Sequence, residues 1–103
     1  MITITPSAAE QIRKSAKVNA TDGSYLRIAA TKDPNGKLQY GLGFDHKTDN
    51  DTLFESTGIE YIVSDLSAAL LEGATIDYVE LVPGEKRFIV SNPNDPEHKQ
   101  AVS

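Results

Sequence analysis

The chain has 103 residues, of which 39% are hydrophobic and 24% are charged, and it contains no cysteine. That length and composition are enough for one domain with its own hydrophobic core. The net charge is −5 and the basic residues are scattered, which argues against sequence-independent binding to nucleic acid. No signal peptide and no apolar run long enough to span a bilayer is visible, so we expect a cytoplasmic protein without a membrane partner.

The first half of the chain predicts a helix followed by a hairpin. Thr5 is a typical N-cap and Pro6 a typical first helical residue, and the helical spacing of the apolar residues extends to about Val18. Residues 25–30 alternate between apolar and polar positions as a strand does. The pair Asn35-Gly36 then indicates a two-residue hairpin turn, since both residues tolerate positive φ.

The strand that follows this turn has an unusual face. Leu38, Tyr40, Leu42 and Phe44 alternate with positions that include Gly41 and Gly43. One face of the strand should therefore be buried, while the other is nearly free of side chains. Glycine at this spacing predicts close approach of another backbone or a strong bend.

The second half of the chain predicts four more strands and a second helix. Ser64 or Asp65 should cap that helix and Gly73 should end it. The strands are expected at residues 52–55, 59–63, 75–82 and 86–90, and the helix at 66–72. The periodicity stops after residue 92, so residues 1–92 are predicted to form the domain and residues 93–103 a flexible, largely disordered tail. The fold class that results is a β-rich α+β domain.

Several segments together resemble the HesB/IscA-like family, the A-type carriers of iron–sulfur cluster biogenesis. They are residues 2–9, Leu38-Gln39-Tyr40-Gly41-Leu42-Gly43-Phe44-Asp45, residues 71–80 and Asn92-Pro93-Asn94. The resemblance implies a compact β-sandwich-like HesB/IscA-type fold with two helices. It also implies the family's ligands, which are three cysteines that hold iron or a cluster.

None of those cysteines is present. The resemblance places the three ligand positions at Asn35, Lys99 and Ala101, with Gln100 in the position of a glycine. Iron–sulfur clusters require soft anionic donors, chiefly thiolates. An amide, an ammonium group and a methyl group cannot replace thiolates, so we predict that the chain has no cofactor and no metal site.

Other candidate sites are weak. His46 and His98 are the only imidazoles, and both fall in polar segments that predict exposed side chains. The acidic residues from Asp45 to Glu55 lack the spacing of a calcium loop and indicate a solvated surface loop. No serine-nucleophile motif or phosphate loop is present, so the chain is not expected to be an enzyme.

Two functions remain open at this point. The resemblance extends to a cysteine-less branch of the family that is associated with dissimilatory sulfite reductase genes, which implies a regulatory or protein-interaction role linked to sulfur oxidation. The alternative is an accessory subunit in iron–sulfur cluster assembly that acts with a cysteine-bearing partner. Both functions imply an unknown protein partner, and we expect a monomer, because ligands shared between subunits are absent.

Overall fold

Two helices and eight strands make up the fold of this computed structural model, which describes residues 1–102. The elements in chain order are β1 Thr3–Ile4, α1 Pro6–Asn19, β2 Tyr25–Lys32, β3 Leu38–Asp45, β4 Asp51–Ser56, β5 Ile59–Ser64, α2 Asp65–Leu71, β6 Thr75–Val82, β7 Glu85–Ser91 and β8 Lys99–Ala101. The prediction of a β-rich α+β domain with two helices is confirmed.

The strands form two sheets of four. One sheet has the order β1-β6-β7-β8 and the other the order β3-β2-β5-β4. A single cluster of buried side chains is shared by both sheets and both helices, and it includes Ile4, Ala8, Ile28, Leu38, Tyr61, Leu71, Ile76 and Val90. The sequence pattern explains this arrangement, since most of the strands direct alternate residues into that cluster.

Helix α1 begins where the sequence predicts. The Thr5 hydroxyl oxygen accepts a hydrogen bond from the Ala8 N–H at 3.2 Å, and Pro6 occupies the first turn. Ala8, Ala9 and Ile12 are the buried residues of this helix, and it packs against β6. Small side chains allow that close approach between helix and sheet.

The β2–β3 hairpin differs from its prediction. Its loop has three residues, Pro34, Asn35 and Gly36, and within that loop only Gly36 has positive φ, at 84°. The Asp33 carboxylate accepts the backbone N–H groups of Asn35 and Lys37, each at 2.9 Å. The prediction of a two-residue turn was wrong because this side chain stabilises the longer loop.

Helix α2 takes the place of a strand partner beside β2. Strand β5 pairs in parallel with β2 only at Leu26–Tyr61 and Arg27–Ile62, and the chain then turns into α2 with Ser64 as its N-cap. The Ser67 hydroxyl bonds to both backbone groups of Ala30, accepting from its N–H at 3.1 Å and donating to its C=O at 3.2 Å. The backbone of Ala30 is therefore satisfied on the side that faces away from β3.

The C-terminal segment is ordered onto the sheet. Strand β8 pairs antiparallel with β7, the Asn92 N–H donates to the His98 C=O at 2.8 Å, and the Val102 N–H donates to the Phe88 C=O at 2.9 Å. The prediction of a disordered tail was wrong for residues 93–102, because buried polar side chains hold this segment where no apolar pattern is visible. Ser103 lies outside the described residues.

No helix within residues 1–102 has the length and apolar character that crossing a membrane requires.

Candidate functional site

The three predicted ligand positions lie in two neighbouring segments. Asn35 is exposed in the β2–β3 loop, and Lys99 and Ala101 are exposed on β8. The segments meet where the Gln100 Nε2–H donates to the Leu38 C=O at 2.8 Å. The assignment of these positions as former ligand sites remains a prediction.

The donor atoms at this end of the molecule do not fit an iron–sulfur cluster. An amide, an ammonium group and a methyl group occupy the three positions, and a positive charge at Lys99 disfavours a bound cation. Across residues 1–102 there is no group of three or more His, Cys, Asp or Glu residues that could hold a metal ion.

A buried carboxylate organises the C-terminal segment instead. Asp95 is 1% exposed, and its Oδ2 accepts the Tyr40 O–H at 2.7 Å and the Gln100 Nε2–H at 2.8 Å. Its Oδ1 accepts the Glu97 N–H at 2.8 Å. Burial acts most strongly on the pKa of Asp95 and would raise it, but the hydrogen bonds led by that of Tyr40 outweigh burial and leave the pKa lowered. Burial, followed by the bond to Asp95, raises the pKa of Tyr40.

Asn92 extends this network to helix α2. Its Nδ2 donates to the Leu70 C=O at 2.7 Å and to the Tyr40 hydroxyl at 3.2 Å, while its Oδ1 accepts the Asn94 N–H at 2.9 Å. Every buried side-chain nitrogen and oxygen within residues 1–102 has a hydrogen-bond partner. The Asn92–Asn94 motif that carried the family resemblance is therefore a structural connection between α2, β3 and the C-terminal segment.

A second buried carboxylate lies at the other end of β3. The Arg27 guanidinium binds Asp51 through two hydrogen bonds of 2.6 Å, and its Nε donates to Asp45 Oδ2 at 2.9 Å. The Arg27 hydrogen bond is the main reason that the pKa of Asp51 is held far below its usual range. The prediction of a solvated acidic loop was wrong for Asp51, because the side chain of Arg27 reaches it from β2. Since Asp45 and Asp51 both bond to Arg27, this cluster fixes the β3–β4 loop in place.

The two histidines are exposed, as predicted. His46 Nε2 lies 3.2 Å from the Asp22 carbonyl oxygen, and His98 has a positive φ of 62° in the loop before β8. Neither belongs to a metal-binding group among the described residues.

The sequence predicted that the glycine face of β3 lies against another backbone, and the structure shows that this face is accessible instead. A Cβ added to Gly41 or Gly43 would meet nothing within 4 Å, so the predicted close approach of another backbone does not occur within residues 1–102. On the opposite face of the strand, Leu42 and Phe44 line an open groove of about 340 Å³ together with Ile12 and Phe88. The strand therefore has a bare face and an apolar face, and both are accessible.

Comparison with known proteins identifies the class of protein that has this fold and these motifs. The family model described as iron-sulphur cluster biosynthesis matches residues 1–94. The chain belongs to this family.

Named relatives agree with that assignment. The iron-sulfur cluster insertion protein ErpA of Histophilus somni is 36% identical over 94 residues, which cover 90% of this chain and 82% of the relative. A SufA protein of Bacillus subtilis is 33% identical and covers 90% of this chain and 78% of its own length.

Solved structures show the same fold. The crystal structure of IscA with a [2Fe-2S] cluster matches with a TM-score of 0.69 and 26% identity, covering 90% of this chain and 83% of its own. Escherichia coli SufA matches with a TM-score of 0.70 and 25% identity, covering 90% and 86%. The HesB/IscA-type fold implied by the resemblance is thereby confirmed.

Proposed function

We propose that this chain is a non-enzymatic member of the iron–sulfur cluster biosynthesis family that holds no cluster itself and acts by binding another protein. The observation that supports this proposal is the loss of every thiolate from a scaffold that is otherwise retained. Asn35, Lys99 and Ala101 offer an amide, a cation and a methyl group where the resemblance implies three cysteines. Without cluster chemistry, the function must come from the surface.

The arrangement of the C-terminal segment supports the same proposal. Strand β8 is hydrogen-bonded to β7, and Gln100 is tied to Asp95 and to the β3 backbone. Lys99 and Ala101 flank Gln100, so their side chains point to the opposite face of β8. That face is exposed and carries no group that binds iron.

Regulation of a sulfur-oxidation system in the cytoplasm is the specific role that we propose, on the basis of the resemblance to the cysteine-less branch of the family. The alternative is an accessory subunit that docks beside a cysteine-bearing carrier. Similarity to ErpA over 90% of the chain is the observation behind this second role, because a retained fold also retains surfaces for shared partners. Both roles require a protein partner and no cofactor.

Anaerobic reconstitution with ferrous iron and sulfide tests the absence of a cluster. We expect no stoichiometric iron and no cluster absorption after desalting, while ErpA from Histophilus somni, treated identically, serves as the positive control. Stoichiometric cluster absorption by the wild-type chain would contradict the proposal. A triple variant, Asn35→Cys, Lys99→Cys and Ala101→Cys, tests the predicted ligand positions, and a gain of bound iron would support them.

Affinity capture from a native extract separates the two roles. Recovery of sulfite reductase components supports regulation of sulfur oxidation, whereas recovery of cluster-assembly proteins supports the accessory role.

A further inference from the structure

The backbone of β3 presents unpaired hydrogen-bonding groups to solvent. In an antiparallel pair, residues alternate between those whose backbone groups face the partner and those whose groups face away. Ala30 bonds to Ser67 and is paired in register with Tyr40, so the backbone groups of Tyr40 point away from β2. By the same alternation, the N–H and C=O groups of Leu42 and Phe44 also point outward.

Part of this edge is already occupied. The Leu38 carbonyl accepts from Gln100, which agrees with the assigned alternation and covers the first residue of the strand. Within residues 1–102, no hydrogen-bond partner is found for the backbone groups of Leu42 and Phe44 on this outer side. The free edge therefore lies beyond Leu38, and Leu42 and Phe44 present their unpaired backbone groups along its second half.

Both faces beside the free edge have room for side chains. The groove on the core side is bounded by Leu42 and Phe44, with Phe88 among the residues that line it. On the other side, Gly41 and Gly43 line an open depression of about 290 Å³ together with Ala29 and with Arg27 and Asp45, which bond to each other at its end. Because the cross-strand neighbours of the two glycines are Ala29 and Arg27, no aromatic side chain from β2 covers this depression.

These features determine the chemistry of a suitable occupant. Outward backbone groups pair with an extended segment, as in strand addition to a sheet edge. An aromatic side chain of the partner stabilises such pairing most when it lies over edge glycines, because it supplies the contacts that the glycines lack. A second copy of this chain is a poor occupant. If β3 paired with β3 of another copy, glycines would lie beside glycines, and the depression on each copy would stay uncovered.

We propose that the free edge of β3 binds an extended segment of a partner protein as an added strand, with an aromatic side chain over Gly41 and Gly43 and flanking apolar side chains in the groove. This inference rests on the proposed function and gives it a binding surface. The net charge of −5 disfavours an acidic segment, so the partner segment should be neutral or basic.

Amide hydrogen exchange with a peptide probe tests this surface. The probe is a short synthetic peptide in which valine and tryptophan alternate, with lysine at both ends. We expect saturable binding and exchange at the Leu42 and Phe44 amides that is at least about tenfold slower. The Gly41 and Gly43 amides already face β2 and serve as internal references that should change little.

A matched peptide isolates the backbone pairing. The same sequence with every backbone nitrogen methylated retains its side chains but has no backbone N–H with which to donate to β3. We expect it to lose binding, and equal binding by the two peptides would overturn the proposal. Unchanged exchange at Leu42 and Phe44 with the unmethylated peptide would also overturn it.

A variant isolates the glycine face. Gly41→Val fills the depression at a position where an added Cβ meets nothing and where valine suits a strand, so the fold should be retained. We expect peptide affinity to fall by about tenfold or more. Thr52→Val, at an exposed position of the opposite edge strand β4, leaves the net charge unchanged; it is the matched control and should bind as the wild type does.

Sedimentation without peptide addresses self-association. A monomer supports a foreign segment as the occupant, whereas a dimer with the Leu42 and Phe44 amides already protected would overturn the proposal in favour of a second copy. Failure of the peptide experiments with no cluster formed on reconstitution would reject this surface alone, while formation of a cluster would reject the proposed function itself.

Discussion

Replacement of the buried carboxylate by its amide, Asp95→Asn, should detach the C-terminal segment and destabilise the domain. The change conserves size and shape, so it acts through hydrogen bonding and charge. The carboxylate accepts from Tyr40, Gln100 and the Glu97 backbone. An asparagine has one acceptor oxygen, so it must turn an NH₂ group toward at least one of these donors.

The magnitude follows from these contacts. Asp95 is 1% exposed, so water cannot replace a lost partner. A hydrogen bond to a buried charged group contributes about 1.5–3 kcal/mol, and a donor left unsatisfied adds to the loss. We expect the free energy of unfolding to fall by about 3 kcal/mol at pH 7. For a domain of this size, that corresponds to a melting temperature lowered by roughly 12–24 °C.

Urea denaturation of the wild type and the variant measures this difference, and amide exchange at Val102 reports local release of the segment. Glu97→Gln is the control, because the Glu97 side chain is 53% exposed and meets Lys37 only at 3.7 Å. That control should change the unfolding free energy by no more than about 0.5 kcal/mol.

The pH dependence gives the reasoning a second test. The pKa of Asp95 is lowered in the folded protein, so its stabilising contribution is present above the unfolded-state pKa of about 3.9 and is lost as the pH falls through the folded-state pKa. Because asparagine does not titrate, the stability difference between the two proteins should shrink on acidification. A variant as stable as the wild type at pH 7, or a difference that grows as the pH falls, would refute the reasoning.

Three further predictions, tested with four substitutions, concern other parts of the fold and are checked by urea denaturation. Ser67→Ala removes both hydrogen bonds to the β2 backbone and should lower the free energy of unfolding by about 2 kcal/mol. A decrease below about 0.5 kcal/mol would contradict the role of this hydroxyl in satisfying the backbone groups of Ala30. Arg27→Met leaves Asp51 buried without its cation and should lower the free energy of unfolding by about 3–5 kcal/mol near neutral pH. This loss should diminish on acidification, because the pKa of Asp51 is lowered in the folded wild type. A loss that does not change with pH would exclude this carboxylate as the cause. Gly73→Ala and Gly84→Ala both place a side chain at positive φ, which costs about 1 kcal/mol. An added Cβ at Gly73 also comes within 3.3 Å of a proline ring, so Gly73→Ala should be the more destabilising of the two. Equal losses would show that the proline moves aside without cost.

Local sequence signals were enough to place most of the elements. Thr5 and Pro6 begin α1 as predicted, Ser64 caps α2, and Gly73 follows that helix with a φ of 81°. Each of these signals depends on residues close together in the chain, so each can be recognised without the fold. The missing cysteines are also a property of the sequence, so the chain has no thiolate to offer a cluster whatever the fold.

Contacts between distant residues decided the rest. The C-terminal segment is ordered because Asp95 meets Tyr40, 55 positions away, and Asp51 is buried because Arg27 reaches it across 24 positions. In the sequence these residues look like ordinary polar positions, since a buried carboxylate differs from a solvated one only in the partners that surround it. Likewise, Gly41 and Gly43 predict an unusual strand, but only the sheet order shows that β3 lies at an edge where the bare face remains open to a partner. The sequence alone determined that thiolates are missing, whereas the tertiary structure determined which strand edge has unpaired backbone groups within residues 1–102.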